Sequence, residues 1–84
     1  MVKPSILYGQ LLQSPKRVVA FRDFERLLVA FAFEHVRSRG SHRSYKHPAT
    51  PEVLTVQPRG KDAQPYQIRK FLAMVEEFDL KAKE

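Results

Sequence analysis

FRDFERLLVAFAFEHVRSRGSHRSYKHP (residues 21–48) changes its hydrophobic period about half-way along. Its first part carries apolar residues at the spacing of one helical face: Phe21, Phe24, Leu27, Leu28 and Phe31. We therefore predict a helix from about 21 to 32. The second part forms two short runs, 33–39 and 41–48, on either side of Gly40, which favours two strands joined by a tight turn.

The remaining elements follow from similar signals. EVLTVQP (52–58) is rich in β-branched residues and predicts a third strand, and 58–62 predicts a loop. Pro65 suits the first position of a helix over about 65–79. Its expected inner face consists of Ile68, Phe71, Leu72, Val75 and Phe78. A shorter helix over 5–13, capped by Ser5, is expected to pack four side chains inward: Ile6, Leu7, Leu11 and Leu12.

If two helices pack on one face of a three-stranded antiparallel sheet, the apolar face of each helix and that face of the sheet are all buried. The predicted fold class is therefore α+β, in the order α-β-β-β-α, with a short N-terminal helical extension. At 84 residues we expect a single domain, 1–84, made of the extension 1–20 and a core over 21–80. Alternation along the second strand separates His42 from His47, so these two should not meet.

Composition excludes several classes of function. The chain has no cysteine, so disulfides, thiolate zinc sites and a cysteine nucleophile are all excluded. The apolar pieces at the N-terminus are too short for a signal peptide or a membrane span. We expect a soluble, cytoplasmic protein without membrane contact.

The whole chain has a net charge of +6, and its positive charge is concentrated in the middle of the sequence. No carboxylate occurs between Glu34 and Glu52, and such a patch attracts polyanions, nucleic acid foremost. The alternative is a basic surface that only keeps the protein soluble. The predicted phosphate contacts are Arg37, Arg39, Arg43, Lys46, Arg59 and Lys61.

The same stretch can be tested against several chemistries. The spacing of His35, His42 and His47 fits no metal-ligand pattern, and no glycine-rich loop precedes a helix. RNA cleavage requires less, because the ribose 2′-hydroxyl is itself the nucleophile. Imidazole titrates near pH 6.5 and can move the proton, while neighbouring cations hold the phosphate. From the residues alone, a surface histidine that merely binds RNA remains the alternative.

A family resemblance bears on this choice. GSHRSYKHP after FAFEHVRSR resembles the GSH motif that follows the first helix in HicA toxins of HicA/HicB toxin-antitoxin systems. LTVQPRGKDAQPYQIRKFL is similar to a branch of that family, and the likeness runs from about Phe21 to Leu80. Its second motif consists of Ala63, Pro65, Tyr66, Gln67 and Ile68. The leading ILYGQLLQSPKRV also resembles the N-terminal extension of that branch.

The resemblance implies a fold like the double-stranded RNA-binding domain. It also implies an mRNA interferase: a metal-independent, cofactor-free endoribonuclease that inhibits translation in a bacterial stress response. His42 would be catalytic, with Gly40 and Ser41 as its supporting turn. The implied partners are mRNA and a HicB-like antitoxin that covers the active face, and the free toxin is expected to be a monomer.

The chain departs from the family pattern at two places. Arg43 stands where many relatives carry a second histidine, and residues 57–59 replace another. If a second histidine serves as general acid in the family, we expect this protein either to be slower or to use Tyr45, His47 or water instead. The alternative function is a non-catalytic RNA-binding module of the same fold.

Overall fold

The helices and strands occur in the predicted order. The computed structural model describes residues 3–14 and 16–82, so parts of the predicted extension (Met1, Val2 and Pro15) and the end of the chain (Lys83 and Glu84) lie outside it. The helices are α1 (Pro4–Gln13), α2 (Phe21–Ala30) and α3 (Pro65–Glu77). The strands β1 (Glu34–Arg39), β2 (His42–Lys46) and β3 (Val53–Val56) form an antiparallel sheet in the order β1-β2-β3. The α+β class is confirmed. None of these helices combines the length and apolar character needed to cross a membrane.

The predicted loop over 58–62 is a second, miniature hairpin. β4 (Pro58–Arg59) pairs with β5 (Asp62–Ala63), and strands of two residues are too short to leave a periodic signal. The N–H of Phe21 donates to the carbonyl of Lys61 (2.8 Å), and the N–H of Ala63 donates to that of Val19 (2.8 Å). The hairpin is thus fixed against the start of α2.

Two glycines make the tight turns. Gly40 and Gly60 have φ of 62° and 66°, a conformation that suits glycine because it has no Cβ. Each is the first residue of a two-residue turn, and the second residue has a negative φ, which matches a type II′ turn. Arg39 consequently pairs with His42 across the first turn.

The core lies between the helices and one face of the sheet. Phe71 of α3 is fully buried, and its ring centroid lies 5.9 Å from that of Phe24, 5.3 Å from that of Phe31 and 5.9 Å from that of Phe33. Edge-to-face contacts of this kind add to the stabilisation from buried area. The sheet contributes Tyr45, Leu54 and Val56 to the same core. On α3, the predicted inner face is confirmed for Ile68, Phe71 and Val75, whereas Leu72 and Phe78 are only partly buried.

Helix α1 packs on α2 along a narrow stripe. Leu7 and Leu11 are buried, but Ile6 and Leu12 are 53% and 56% exposed, so the prediction that all four pack inward was wrong for two of them. A helix that packs through one narrow stripe buries residues spaced by about one turn, because these lie on the same side of the helix. The predicted cap was also wrong, because Lys3 occupies the cap position and Ser5 lies inside the helix.

The two adjacent leucines of α1 provide a matched test of this packing. Leu11→Ala should lower the free energy of unfolding by about 2–5 kcal/mol, because a fully buried side chain is removed. Leu12→Ala should change it by less than about 0.5 kcal/mol. Urea unfolding followed by circular dichroism measures both. Equal losses would contradict the packing described for α1.

Candidate functional site

The central strand β2 separates its side chains between two environments. Tyr45 points towards the helices and is buried, as is His47 just beyond the strand, whereas His42 and Lys46 are exposed. Within the described residues 3–14 and 16–82, no helix covers the sheet face that carries His42. The structure therefore agrees with the expectation that His42 and His47 do not meet.

A bulge in β1 brings two arginines onto the face of His42. His35 pairs with Tyr45, but Arg37 pairs with Ser44 and Arg39 with His42, so Val36 is an extra residue without a partner. Regular alternation from His35 would have turned both arginines to the side of Tyr45. The extra residue reverses that orientation.

The side chain of His35 lies within this bulge. Its Nε2 is 3.0 Å from the carbonyl oxygen of Arg37 and 2.7 Å from Oγ of Ser38. As a donor Nε2 can bond the carbonyl, and as an acceptor it can bond the hydroxyl, so either tautomer keeps a hydrogen bond there. The ring also lies against that of Tyr45, with centroids 5.3 Å apart. His35 is thus a structural residue of β1.

The uncovered face carries a row of free basic side chains, which we call the open basic face: Arg37, Arg39, His42 and Lys46. All are exposed, and within residues 3–14 and 16–82 none of these side chains forms a hydrogen bond or an ion pair. The one carboxylate in the paired positions of this face is Glu34, opposite Lys46 and away from His42. The surface around His42 can therefore accept an anion without first breaking an ion pair.

Arg43 differs from these four because its guanidinium is already engaged on the inner face. Its Nη1 donates to both carboxylate oxygens of Glu25 on α2 (2.8 and 2.7 Å), and the group lies 5.7 Å from the centroid of Phe21. The hydrogen bond and charge of Glu25 raise the pKa of Arg43 further. The structure thus places Arg43 apart from the other predicted phosphate contacts, and its assignment to phosphate binding stays a prediction.

Tyr45 completes the same cluster. Its hydroxyl donates to Oε2 of Glu25 at 2.7 Å. Burial, followed by this hydrogen bond, raises the pKa of Tyr45 well above its usual value. Because its hydroxyl is bound to Glu25 and points away from the open basic face, Tyr45 is not placed next to His42.

His47 is also not placed next to His42. Its Nδ1 accepts a hydrogen bond from the N–H of Ala49 at 2.9 Å, and its ring meets Phe33 edge-on, with centroids 5.2 Å apart. The ring is buried and stabilises the turn after β2. Neither of the two side chains expected from the sequence as a second acid-base group therefore lies on the face of His42.

Arg59 and Lys61 belong to the second hairpin rather than to the open basic face. Arg59 ends β4, and Lys61 is the second residue of the turn. The carbonyl of Lys61 bonds Phe21, whose ring faces Arg43 next to His42. Both glycine turns therefore lie at the same end of the molecule.

Sequence reasoning missed the role of a buried amide. Oε1 of Gln67 accepts a hydrogen bond from the N–H of Gln57 (3.0 Å), and Nε2 of Gln64 donates to the carbonyl of Gln57 (3.2 Å). The backbone just after β3 is thereby satisfied from α3, which accounts structurally for the glutamine of the second motif. The position of Gln67 beside Ile68 on the inner face of α3 was the available signal.

The described residues contain no group of three or more His, Asp or Glu side chains placed to hold a metal ion.

Comparison with known families identifies the chain. A family model described as the HicA toxin of bacterial toxin-antitoxin systems matches residues 21–76, from the start of α2 almost to the end of α3. The chain belongs to the HicA toxin family. The match leaves α1 and the segment before α2 outside it. No curated protein and no solved structure matches the chain.

Family membership gives the geometry a context. HicA toxins act in toxin-antitoxin systems, so a HicB-type antitoxin is the implied partner of this HicA-family chain. The GSH motif lies at the two-residue turn between β1 and β2, with His42 as the first residue of β2. It is the one histidine on the open basic face.

The raised pKa of Tyr45 has a measurable consequence for stability. Tyrosines of the unfolded chain titrate near pH 10, so the neutral phenol stabilises the fold fully below pH 10 and progressively less above it. Tyr45→Phe should be less stable than the wild type at pH 8 by about 1–2 kcal/mol, and this gap should narrow by up to about 1 kcal/mol at pH 11. Urea unfolding at both pH values tests this. A constant gap would contradict it.

Proposed function

We propose that this HicA-family chain is an mRNA interferase, a metal-independent endoribonuclease that inhibits translation by cleaving mRNA. The observation that carries the proposal is the exposed and unpartnered ring of His42 on the open basic face, in one row with Arg37, Arg39 and Lys46. Such a row supplies a proton-transfer group and phosphate-binding cations without a cofactor.

In the proposed reaction, His42 takes the proton from a ribose 2′-hydroxyl. The 2′-oxygen then attacks the adjacent phosphorus, which closes a 2′,3′-cyclic phosphate and breaks the bond to the 5′-oxygen. Water gives that leaving oxygen its proton, because Tyr45 and His47 lie on the other side of the sheet. The guanidinium groups of Arg37 and Arg39 stabilise the negative charge that develops on the phosphoryl oxygens.

The turn serves to present the histidine. Gly40 adopts the positive φ that a two-residue hairpin requires, and Ser41 completes the turn, so His42 starts β2 on a rigid element. Lys46 extends phosphate binding along the strand, and Arg59 and Lys61 extend it at the second hairpin. We place the protein in the cytoplasm as a free monomer until a HicB-type antitoxin covers the open basic face.

A second candidate function, a non-catalytic RNA-binding module, has one observation in its favour. Arg43 replaces a histidine found in many relatives and is bound to Glu25, so in the described residues His42 has no second histidine on its face. In this case His42 would only contact phosphate or base.

Cleavage of a single-stranded RNA in excess EDTA separates the two functions. The wild type should cut, and His42→Ala should cut about 10²- to 10⁴-fold more slowly, because its proton-transfer group is gone. RNA affinity should hardly change, since three cations of the row remain. Added imidazole should restore part of the activity.

The opposite results are equally clear. If neither protein cuts while both bind RNA, the protein is a binding module. Equal cutting by both preparations would indicate a contaminating ribonuclease and would remove the support for His42.

A further inference from the structure

A small basic pocket lies between the segment before α2 and the second hairpin. Its volume is about 140 Å³, enough for a phosphate group with bound water but too small for a nucleoside. Three cationic side chains line it: Lys16, Arg17 and Arg59. We call it the hairpin pocket.

The lining of the hairpin pocket has more positive than negative side chains. Asp62 is the single carboxylate in its lining, and no carboxylate of the described residues lies within 4.0 Å of the three cations. All three residues are exposed. Their like charges repel each other because they surround one pocket. An anion from outside the chain would relieve that repulsion.

The backbone around the pocket is held in place. Ala20 bridges to Asp62, and the adjacent residues Val19 and Phe21 are hydrogen-bonded to Ala63 and Lys61. The residues just before α2 are thereby fixed to the second hairpin. This attachment keeps Lys16 and Arg17, two to three residues earlier in the chain, on the same side of the molecule as Arg59.

The pocket is also near the open basic face. Arg43 pairs with Val56, three residues before Arg59. The Cα atoms of His42 and Arg59 are therefore no more than about 20 Å apart. At about 3.4 Å per nucleotide, this corresponds to roughly six nucleotides of a single strand or fewer.

We propose that the hairpin pocket binds a backbone phosphate of the RNA substrate. This phosphate lies a few nucleotides from the bond whose cleavage is proposed at His42. This inference rests on the proposed function. Lys16 and Arg17 lie outside residues 21–76, whereas Arg59 lies within them, so the pocket forms where the extension meets the part that matches the family. Val18 is 74% exposed next to these cations and offers an apolar contact for a ribose or base.

The pocket should make RNA affinity depend on length. A 14-nucleotide 2′-O-methyl RNA can occupy both sites, whereas a 2′-O-methyl dinucleotide has one phosphate and can occupy only one of them, and neither can be cut because the nucleophile is blocked. The wild type should bind the longer RNA more tightly.

The variant Lys16→Ala/Arg17→Ala should bind the longer RNA roughly tenfold more weakly than the wild type does. The slope of log K against log salt should fall by about 0.7 for each phosphate that the variant no longer neutralises. Fluorescence anisotropy over a salt series measures both quantities.

The matched control is Arg69→Ala/Lys70→Ala, which removes the same two charge types from exposed, adjacent positions on α3. It should keep the wild-type affinity and salt slope. Equal binding by the wild type and Lys16→Ala/Arg17→Ala would overturn the proposal, and so would equal losses of affinity in both double variants, since bulk charge would then explain the effect.

The test is independent of catalysis. If the 14-nucleotide RNA needs Lys16 and Arg17 but no RNA is cleaved in EDTA, the proposed reaction fails while the pocket stands. If the double substitution leaves RNA binding unchanged but abolishes binding of polyglutamate, the pocket serves an acidic protein segment and the RNA proposal is overturned.

Discussion

The carboxylate of Glu25 links helix α2 to one face of the central strand. It accepts hydrogen bonds from Arg43 and Tyr45, which are two residues apart on the central strand, and so ties α2 to the inner face of β2. With those side chains held, alternation forces His42 and Lys46 onto the opposite face. A register slip of one residue would bury the histidine and expose the tyrosine.

The bulge in β1 is a second constraint of comparable importance. A strand without it would have separated Arg37 and Arg39 from His42 by the thickness of the sheet. The ring of His35 bonds within the bulge and packs on Tyr45, which is itself bound to Glu25. Two side-chain contacts, His35 with Tyr45 and Tyr45 with Glu25, therefore link the bulge that orients Arg37 and Arg39 to helix α2 on the other side of the sheet.

The two glycine turns give the molecule its basic end. Each turn follows an arginine, and each hairpin is tied to the same residue: Phe21 bonds Lys61 through its backbone and faces Arg43 with its ring. On the proposals made above, one end of a small fold would hold both the reacting phosphate and a remote one. Binding energy at the remote phosphate could then position the ribose at His42.

The order of the elements could be predicted from the sequence alone, because helical spacing, β-branched runs and glycine turns are local signals. The sequence also predicted the separation of His42 from His47, since alternation within one strand needs no partner. Three other features depend on the tertiary structure. They are the orientation of Arg37 and Arg39, the binding of Arg43 to Glu25, and the position of Lys16 and Arg17 beside Arg59. Each depends on pairing between segments distant in sequence, where one inserted residue or one carboxylate on a neighbouring helix changes which groups meet.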